Sequence, residues 1–291
     1  MKTALHPVDV TPRVWDRLLA VRDGTACACC GHFTAGERAA LDLYGPIARR
    51  DLGPVTVAQV GQSLDGRVAT TSGDARDVSG PEGLAHLHRL RALVCGVVIG
   101  VGTALHDNPR LTVRLCAGHD PARIIIDPRG RLPDDAPALQ PGGARRIVVT
   151  AADRPRPRGV EILRLPLSQG QLDPRRILDG LRDLGLASLL IEGGSTTITG
   201  FLEAGLLHRL QVSVAPLIIG AGPQGLTSRT PVQTLAEALR PQTRVFALQS
   251  DIVFDCALQP IATLAAQPLH PRRSLGAEPS SLPLARAALQ G

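Results

Sequence analysis

The stretch SLLIEGGSTTITGFLEAGLLHRL, residues 188–210, decides the fold. A short apolar-biased run ends on a carboxylate, Glu192. Two glycines follow, then Ser and Thr, then apolar residues at helical spacing. A continuous apolar run bounded by glycine reads as a strand buried on both faces. Such strands belong to parallel sheets flanked by helices, and ligands bind outside their carboxyl ends. Glu192 stands at that edge. Gly193 and Gly194 let a backbone approach a ligand closely. Ser195, Thr196 or Thr197 can cap the next helix, whose N-terminus attracts anions. The combination suits a nucleotide phosphate. The same residues also suit a capped helix with glycines chosen for packing.

The pattern repeats outward. From Val55 onward, short β-branched runs alternate with helical segments. The runs are 55–61, 92–102, 123–127, 145–150, 161–167, 188–194, 210–220 and 244–258. Helices are expected over 81–93, 173–185 and 195–205. This predicts an α/β fold with a mostly parallel central sheet. The last two runs lie close together and suggest an antiparallel hairpin at one edge. Residues 1–53 read as a helical extension, with helical spacing at 14–23 and 36–52. Residues 54–260 read as the main domain. The Pro-, Ala- and Ser-bearing tail 261–291 reads as disordered.

Composition narrows the function. The chain has 291 residues, 44% of them hydrophobic, but only 2% aromatic, so its core must be aliphatic. The formal charge of +6 comes almost entirely from arginine, and Lys2 is the only lysine. These charges are scattered without aromatic interleaving, which argues against nucleic acid as a partner. Nothing approaches a membrane span, and MKTALHPVDV lacks the apolar segment of a signal peptide. Six cysteines without secretory features point to reduced thiols in the cytoplasm.

Three further motifs stand out. SLDGR (63–67) reads as a tight turn, with Asp at its start and Gly for permissive φ. In VIGVGTALHDNPRLTVR (98–114) an apolar strand runs into two glycines and then Asp107. Pro109 is expected to hold Asn108 extended and to fix Asp107 on a rigid loop at the ligand-binding edge. The competing reading is a capped turn with solvated arginines. GAGPQG (220–225) formally matches a dinucleotide fingerprint, but Pro223 interrupts it and no helix begins at once. CACCGH (27–32) offers one cluster of thiols, whereas structural zinc typically uses two separated pairs. No metal site is therefore expected. His86 and His88, two apart on a helix, face different directions.

Taken in order, SLDGR, SGDARDVSGPEG (72–83), HRLRA (88–92), GTALHDNPRLTVR (102–114), IIIDPRGRL (124–132), LLIEGGSTTITGFLEAGLLHRL (189–210) and APLIIG (215–220) resemble the reductase domain of bacterial riboflavin biosynthesis. The resemblance covers about residues 54–258. It implies a dihydrofolate-reductase-like fold, usually dimeric. It also implies an NADPH-dependent reductase of a ribosylamino-pyrimidine 5′-phosphate, turning ribosyl into ribityl. By the same resemblance, Gln62, Thr103, Asp107 and the run Gly194, Ser195, Thr196, Thr197, Ile198, Thr199 and Gly200 contact the cofactor. Arg91, Leu111, Arg114 and Glu192 contact the substrate. Two arginines suit a phosphate monoester, a carboxylate suits the polar edge of a pyrimidine or ribose hydroxyls, and Asp107 is the candidate catalytic residue, assisting proton movement.

The sequence departs from the family pattern at Gln59, Ala75 and Asp77, where lysine, serine and an aromatic are usual. These departures keep a second expectation open, a reductase of another pterin or heterocycle. A third is a non-catalytic nucleotide-binding protein. The deaminase signature H-x-E and P-C-x-x-C is absent from the sequence, so the chain is expected to reduce without deaminating.

Overall fold

The computed structural model describes residues 4–260, and the expected disordered tail at 261–291 lies outside them. Besides two short 3-10 turns, twelve strands and six α-helices follow one another along these residues. They are β1 (Leu5–Pro7), α1 (Pro12–Arg22), α2 (Ala35–Ala48), β2 (Val55–Ser63), α3 (Pro81–Leu93), β3 (Gly96–Gly100), α4 (Val101–Asp107), β4 (Ala122–Ile126), β5 (Arg146–Thr150), β6 (Val160–Arg164), β7 (Leu167–Ser168), β8 (Gln171–Leu172), α5 (Pro174–Asp183), β9 (Ser188–Glu192), α6 (Ser195–Glu203), β10 (Arg209–Ala215), β11 (Gln242–Ala247) and β12 (Ile252–Ala257).

Ten strands form one sheet in the order β1-β11-β12-β10-β2-β9-β3-β4-β5-β6, while β7 and β8 pair separately. From β10 through β6 every neighbour is parallel. Only β12 runs antiparallel to both of its neighbours, β10 and β11. This is the α/β architecture expected from the alternating runs. The central strand β9 is buried at all five positions, as a strand covered on both faces must be.

Two apolar layers hold the sheet. On one face α1, α2 and α3 pack in a single core cluster containing Leu18, Tyr44, Ile47, Leu90, Val57 and Phe246. On the other, α5 and α6 contribute Ile177, Leu181, Ile198 and Phe201 against Ala58, Val98, Ile124 and Ile191. The extension before Val55 thus shares its apolar core with the sheet. Its helices start where the sequence provides caps. The Thr11 hydroxyl accepts from the Val14 N–H, and Thr34 with Glu37 forms a reciprocal capping box, satisfying N–H groups that lack intrahelical partners.

Four local expectations need correction. The run 92–102 is a strand only at Gly96–Gly100, because α3 reaches Leu93 and α4 begins at Val101. The run 210–220 ends as a strand at Ala215, since Pro216 has no N–H for a ladder. The last run does not form a hairpin with it. Instead 244–258 folds on itself as β11 and β12, with β12 inserted beside β10. Finally, β1 pairs with β11 and takes the sheet edge; three residues are too short to show strand periodicity in sequence.

Candidate active site

A cleft of about 620 Å³ opens at the carboxyl ends of β2, β9 and β3. Its floor includes Gln59, Gly61, Ile99 and Glu192, and its walls include Thr70, Ala75, Leu87, Arg91, Thr103, Asp107, Leu111, Ser195 and Ile198. Pro223, Gln224 and Gly225 form part of one wall. The GAGPQG segment is therefore not a dinucleotide fingerprint, because no helix follows it. It lies against the SLDGR turn, where Gly225 N–H donates to Gly66 C=O and Val68 N–H donates to Pro223 C=O. That turn closes as expected, with Gly66 N–H donating to Ser63 C=O at 3.0 Å. Asp65 accepts from Ile219 and Gly220 N–H groups. The Ser63 hydroxyl and these amides hold its pKa down, at about 2.

Glu192 and Arg91 meet at the cleft floor. Arg91 Nε donates to Glu192 Oε1 at 2.7 Å, and Nη2 donates to Oε2 at 2.6 Å. Nη1 donates to Thr112 C=O at 3.1 Å. Both side chains are buried. The guanidinium fork is thus engaged on three sides within the protein. Arg114, expected beside Arg91 on a phosphate, is exposed and lies outside the cleft lining. Its Nη1 donates to the Thr112 hydroxyl at 2.6 Å, and its N–H donates to His88 Nδ1. Leu111 is buried in the cleft wall at φ +55. A bulky residue pays for that left-handed backbone and persists there only where its surroundings fix it.

The double glycine takes a left-handed backbone, and the expected side-chain helix cap is absent. Gly193 and Gly194 have φ +58 and +70, a region open to glycine and costly for other residues. A Cβ on Gly194 would meet Thr103 Oγ1 at 2.9 Å, and one on Gly100 would meet Thr197 Oγ1 at 2.5 Å. The N-cap of α6 is Gly194 itself, with no side-chain cap bond. Ser195, Thr196 and Thr197 lie inside the helix, so its first N–H groups are not consumed by a side chain. A second cavity of about 360 Å³ opens there, lined by Gly100, Gly102, Thr103, Gly194, Thr196 and Thr197 together with Pro128, Arg129 and Arg131. Free helix N–H groups, close-approach glycines and two cationic side chains fit the phosphates of a dinucleotide.

Asp107 lines the mouth of the cleft. It is the last residue of α4, not part of a loop, and Asn108 forms the C-cap at φ 44 and ψ 49. The expected extended Asn108 is therefore corrected to left-handed. Asparagine tolerates that region and ends a helix well there, which outweighs the bias from Pro109. Partial desolvation raises the Asp107 pKa from its ordinary value, and His106 pulls in the opposite direction.

Other expected contacts fall outside the cleft. Gln62 stands behind Gly225, where a Cβ would meet its Oε1 at 2.7 Å. The Thr199 hydroxyl donates to Thr227 C=O at 2.7 Å and is buried. Gly200 faces Arg229 and Pro174. A helix turns its residues through the full circle, so a contiguous run cannot all face one ligand. Of the departures, Gln59 and Ala75 line the cleft, while Asp77, at φ 62, does not. Arg129 and Arg131 carried no assignment from sequence, although the IIIDPRGRL motif contains them. Their position after β4, next to β3, was the missing information.

Comparison with known proteins agrees with this architecture. The RibD C-terminal domain family matches residues 54–254. Riboflavin biosynthesis protein RibD of Aquifex aeolicus is 34% identical over 175 residues, covering 58% of this chain and 48% of that protein. The 2,5-diamino-6-ribosylamino-4(3H)-pyrimidinone 5′-phosphate reductase of Methanothermobacter thermautotrophicus is 28% identical over 211 residues, covering 69% of this chain and 97% of that one. The structure of Acinetobacter baumannii RibD, form 1, superimposes with TM-score 0.59 at 25% identity, over 77% of this chain and 63% of that chain. The chain spans about half the length of the Aquifex RibD, but nearly all of the archaeal reductase. By the extent of the family match and the shared sheet, the chain belongs to the RibD C-terminal domain family.

Proposed function

We propose that this chain is an NADPH-dependent reductase of a ribosylamino-pyrimidine 5′-phosphate in riboflavin biosynthesis, acting in the cytoplasm as a homodimer. The observation that carries the reading is the junction of two cavities at Thr103 and Gly194. One suits dinucleotide phosphates and the other holds the buried Arg91–Glu192 pair. Bound NADPH supplies a hydride for ribose C1′ as the ribosyl ring opens to ribityl. The chain's own part is to position and to move a proton. The α6 N-terminus receives phosphate, and Arg129 and Arg131 add charge for a further phosphate, selecting NADPH over NADH. Arg91 holds Glu192 in one orientation, leaving carboxylate lone pairs for polar hydrogens of the substrate. Asp107, at the cleft mouth, assists proton movement as the ring opens. Among the described residues no helix is long and apolar enough to cross a membrane.

The test is NADPH oxidation by the purified chain with the ribosylamino-pyrimidine phosphate, with the ribityl product identified by mass. Arg129→Ala/Arg131→Ala is expected to raise the NADPH KM about tenfold, equivalent to about 1.4 kcal/mol, while the NADH KM stays unchanged. Absence of turnover with bound NADPH would redirect attention to a second reading, reduction of another pterin or heterocycle. Gln59 and Ala75 in the cleft lining favour keeping that reading, and dihydrofolate is its first probe.

A further inference from the structure

The connection between α1 and α2 runs from Asp23 to Thr34 without regular structure. It is nonetheless held at several points. Arg17 Nη1 donates to Cys27 C=O, and Arg13 Nη2 donates to His32 C=O. The Arg13 and Arg38 guanidiniums lie over the Phe33 ring at 5.0 and 5.1 Å. Ala26, Ala28 and Phe33 pack against the core. With the alanines directed inward, the sulfurs of Cys27, Cys29 and Cys30 come together, all within 4.8 Å of one another.

The spacing is informative. Cys29 Sγ and Cys30 Sγ are 3.8 Å apart. A disulfide requires about 2.05 Å. A tetrahedral zinc thiolate with bonds of about 2.3 Å has sulfur–sulfur edges of about 3.8 Å. The Cys29–Cys30 separation therefore matches one edge of a coordination tetrahedron, and Cys27 Sγ lies within 4.8 Å of both sulfurs. Cys29 and Cys30 are exposed, so an ion has a path in, and a fourth position remains open to water.

We propose that Cys27, Cys29 and Cys30 form a thiolate site for a thiophilic metal ion of the zinc class, which fixes the conformation of the α1–α2 connection. Sequence spacing argued against a metal because it shows one cluster instead of two pairs. The fold supplies three ligands from that single cluster. Binding releases thiol protons to solvent and adds stability to the folded chain, since the unfolded loop does not hold the three sulfurs together.

The experiment uses the full chain, reduced and stripped of metal, and titrates it with cobalt(II) followed by zinc(II). The expected result is a sulfur-to-cobalt charge-transfer band with tetrahedral ligand-field bands, saturating at one equivalent and bleached by zinc. Zinc also raises Tm. The triple variant Cys27→Ser/Cys29→Ser/Cys30→Ser, with native circular dichroism, loses both the band and the Tm shift. Cys116→Ser keeps both. The proposal is overturned if wild-type chain gives no charge-transfer band, if the triple variant keeps it, or if freshly isolated chain carries a disulfide among these three cysteines in place of metal.

Discussion

Arg91 on α3 and Glu192 at the end of β9 form a buried bidentate ion pair, with donor–acceptor distances of 2.7 and 2.6 Å. The pair joins a helix on one face of the sheet to the ligand-binding edge of its central strand. Removing one partner from such a pair leaves the other charge buried without compensation, at a cost of roughly 3 kcal/mol. Glu192→Gln is therefore expected to lower unfolding free energy by about that amount. It also raises the substrate KM while sparing NADPH affinity. Arg91→Met/Glu192→Leu recovers a large part of the stability but none of the substrate affinity. Urea melts and NADPH titration of the three proteins decide it. Loss of NADPH binding in Glu192→Gln would show that the division of the cleft between cofactor and substrate is wrong.

Gly194→Ala tests the phosphate cradle. The new Cβ meets Thr103 Oγ1 at 2.9 Å, and φ +70 costs an L-residue about 1–2 kcal/mol. NADPH affinity, read by nicotinamide fluorescence, is expected to fall at least about tenfold. Adding Thr103→Ala relieves the contact but not the backbone strain, so affinity returns only in part. Unchanged affinity in Gly194→Ala would remove the α6 N-terminus from the cofactor site.

Asp107→Asn tests the proton donor. Burial raises this carboxyl's pKa, so it keeps its proton to a higher pH than the free side chain, about 3.9. The wild-type kcat is expected to fall as pH rises through that shifted value. The asparagine variant lacks this limb and turns over at least about a hundredfold more slowly, with NADPH affinity unchanged. Equal turnover of the two proteins would dismiss the role.

Two buried histidines set an acid limit on stability. Burial lowers His86 to about 3 and His88 to about 4, from 6.5. His86 Nδ1 bonds the Tyr44 hydroxyl, and His88 Nδ1 accepts from Arg114 N–H. Between the unfolded and folded values, the unfolded chain binds more protons. Stability from each is intact above about 6.5 and declines as pH falls, at up to about 1.4 kcal/mol per pH unit. The decline continues towards about 4 for His88 and about 3 for His86. His86→Gln/His88→Gln is expected to flatten the dependence of unfolding free energy between about pH 6.5 and about pH 5. An unaltered slope in urea melts would assign the acid sensitivity to other groups.

The sequence by itself determined the sheet and the edge at which ligands meet it. The apolar runs 92–102 and 188–194, alternating with helical segments, read as buried parallel strands, and Gly193 and Gly194, at φ +58 and +70, take a backbone that other residues adopt only at a cost. Periodicity likewise placed α3 at its observed ends and α5 within two residues of them. What it could not carry was contact between distant segments. Arg91 and Glu192 lie 101 positions apart, and nothing local distinguishes an arginine that grips a phosphate from one that grips a carboxylate. Only the packing of α3 against β9 decides that. The same holds for Arg129 and Arg131, brought beside Gly194 by strand order, and for Asn108, whose left-handed cap reflects the end of α4. In CACCGH the residues were visible from the start, but the convergence of three sulfurs depends on Ala26, Ala28 and Phe33 packing against the core.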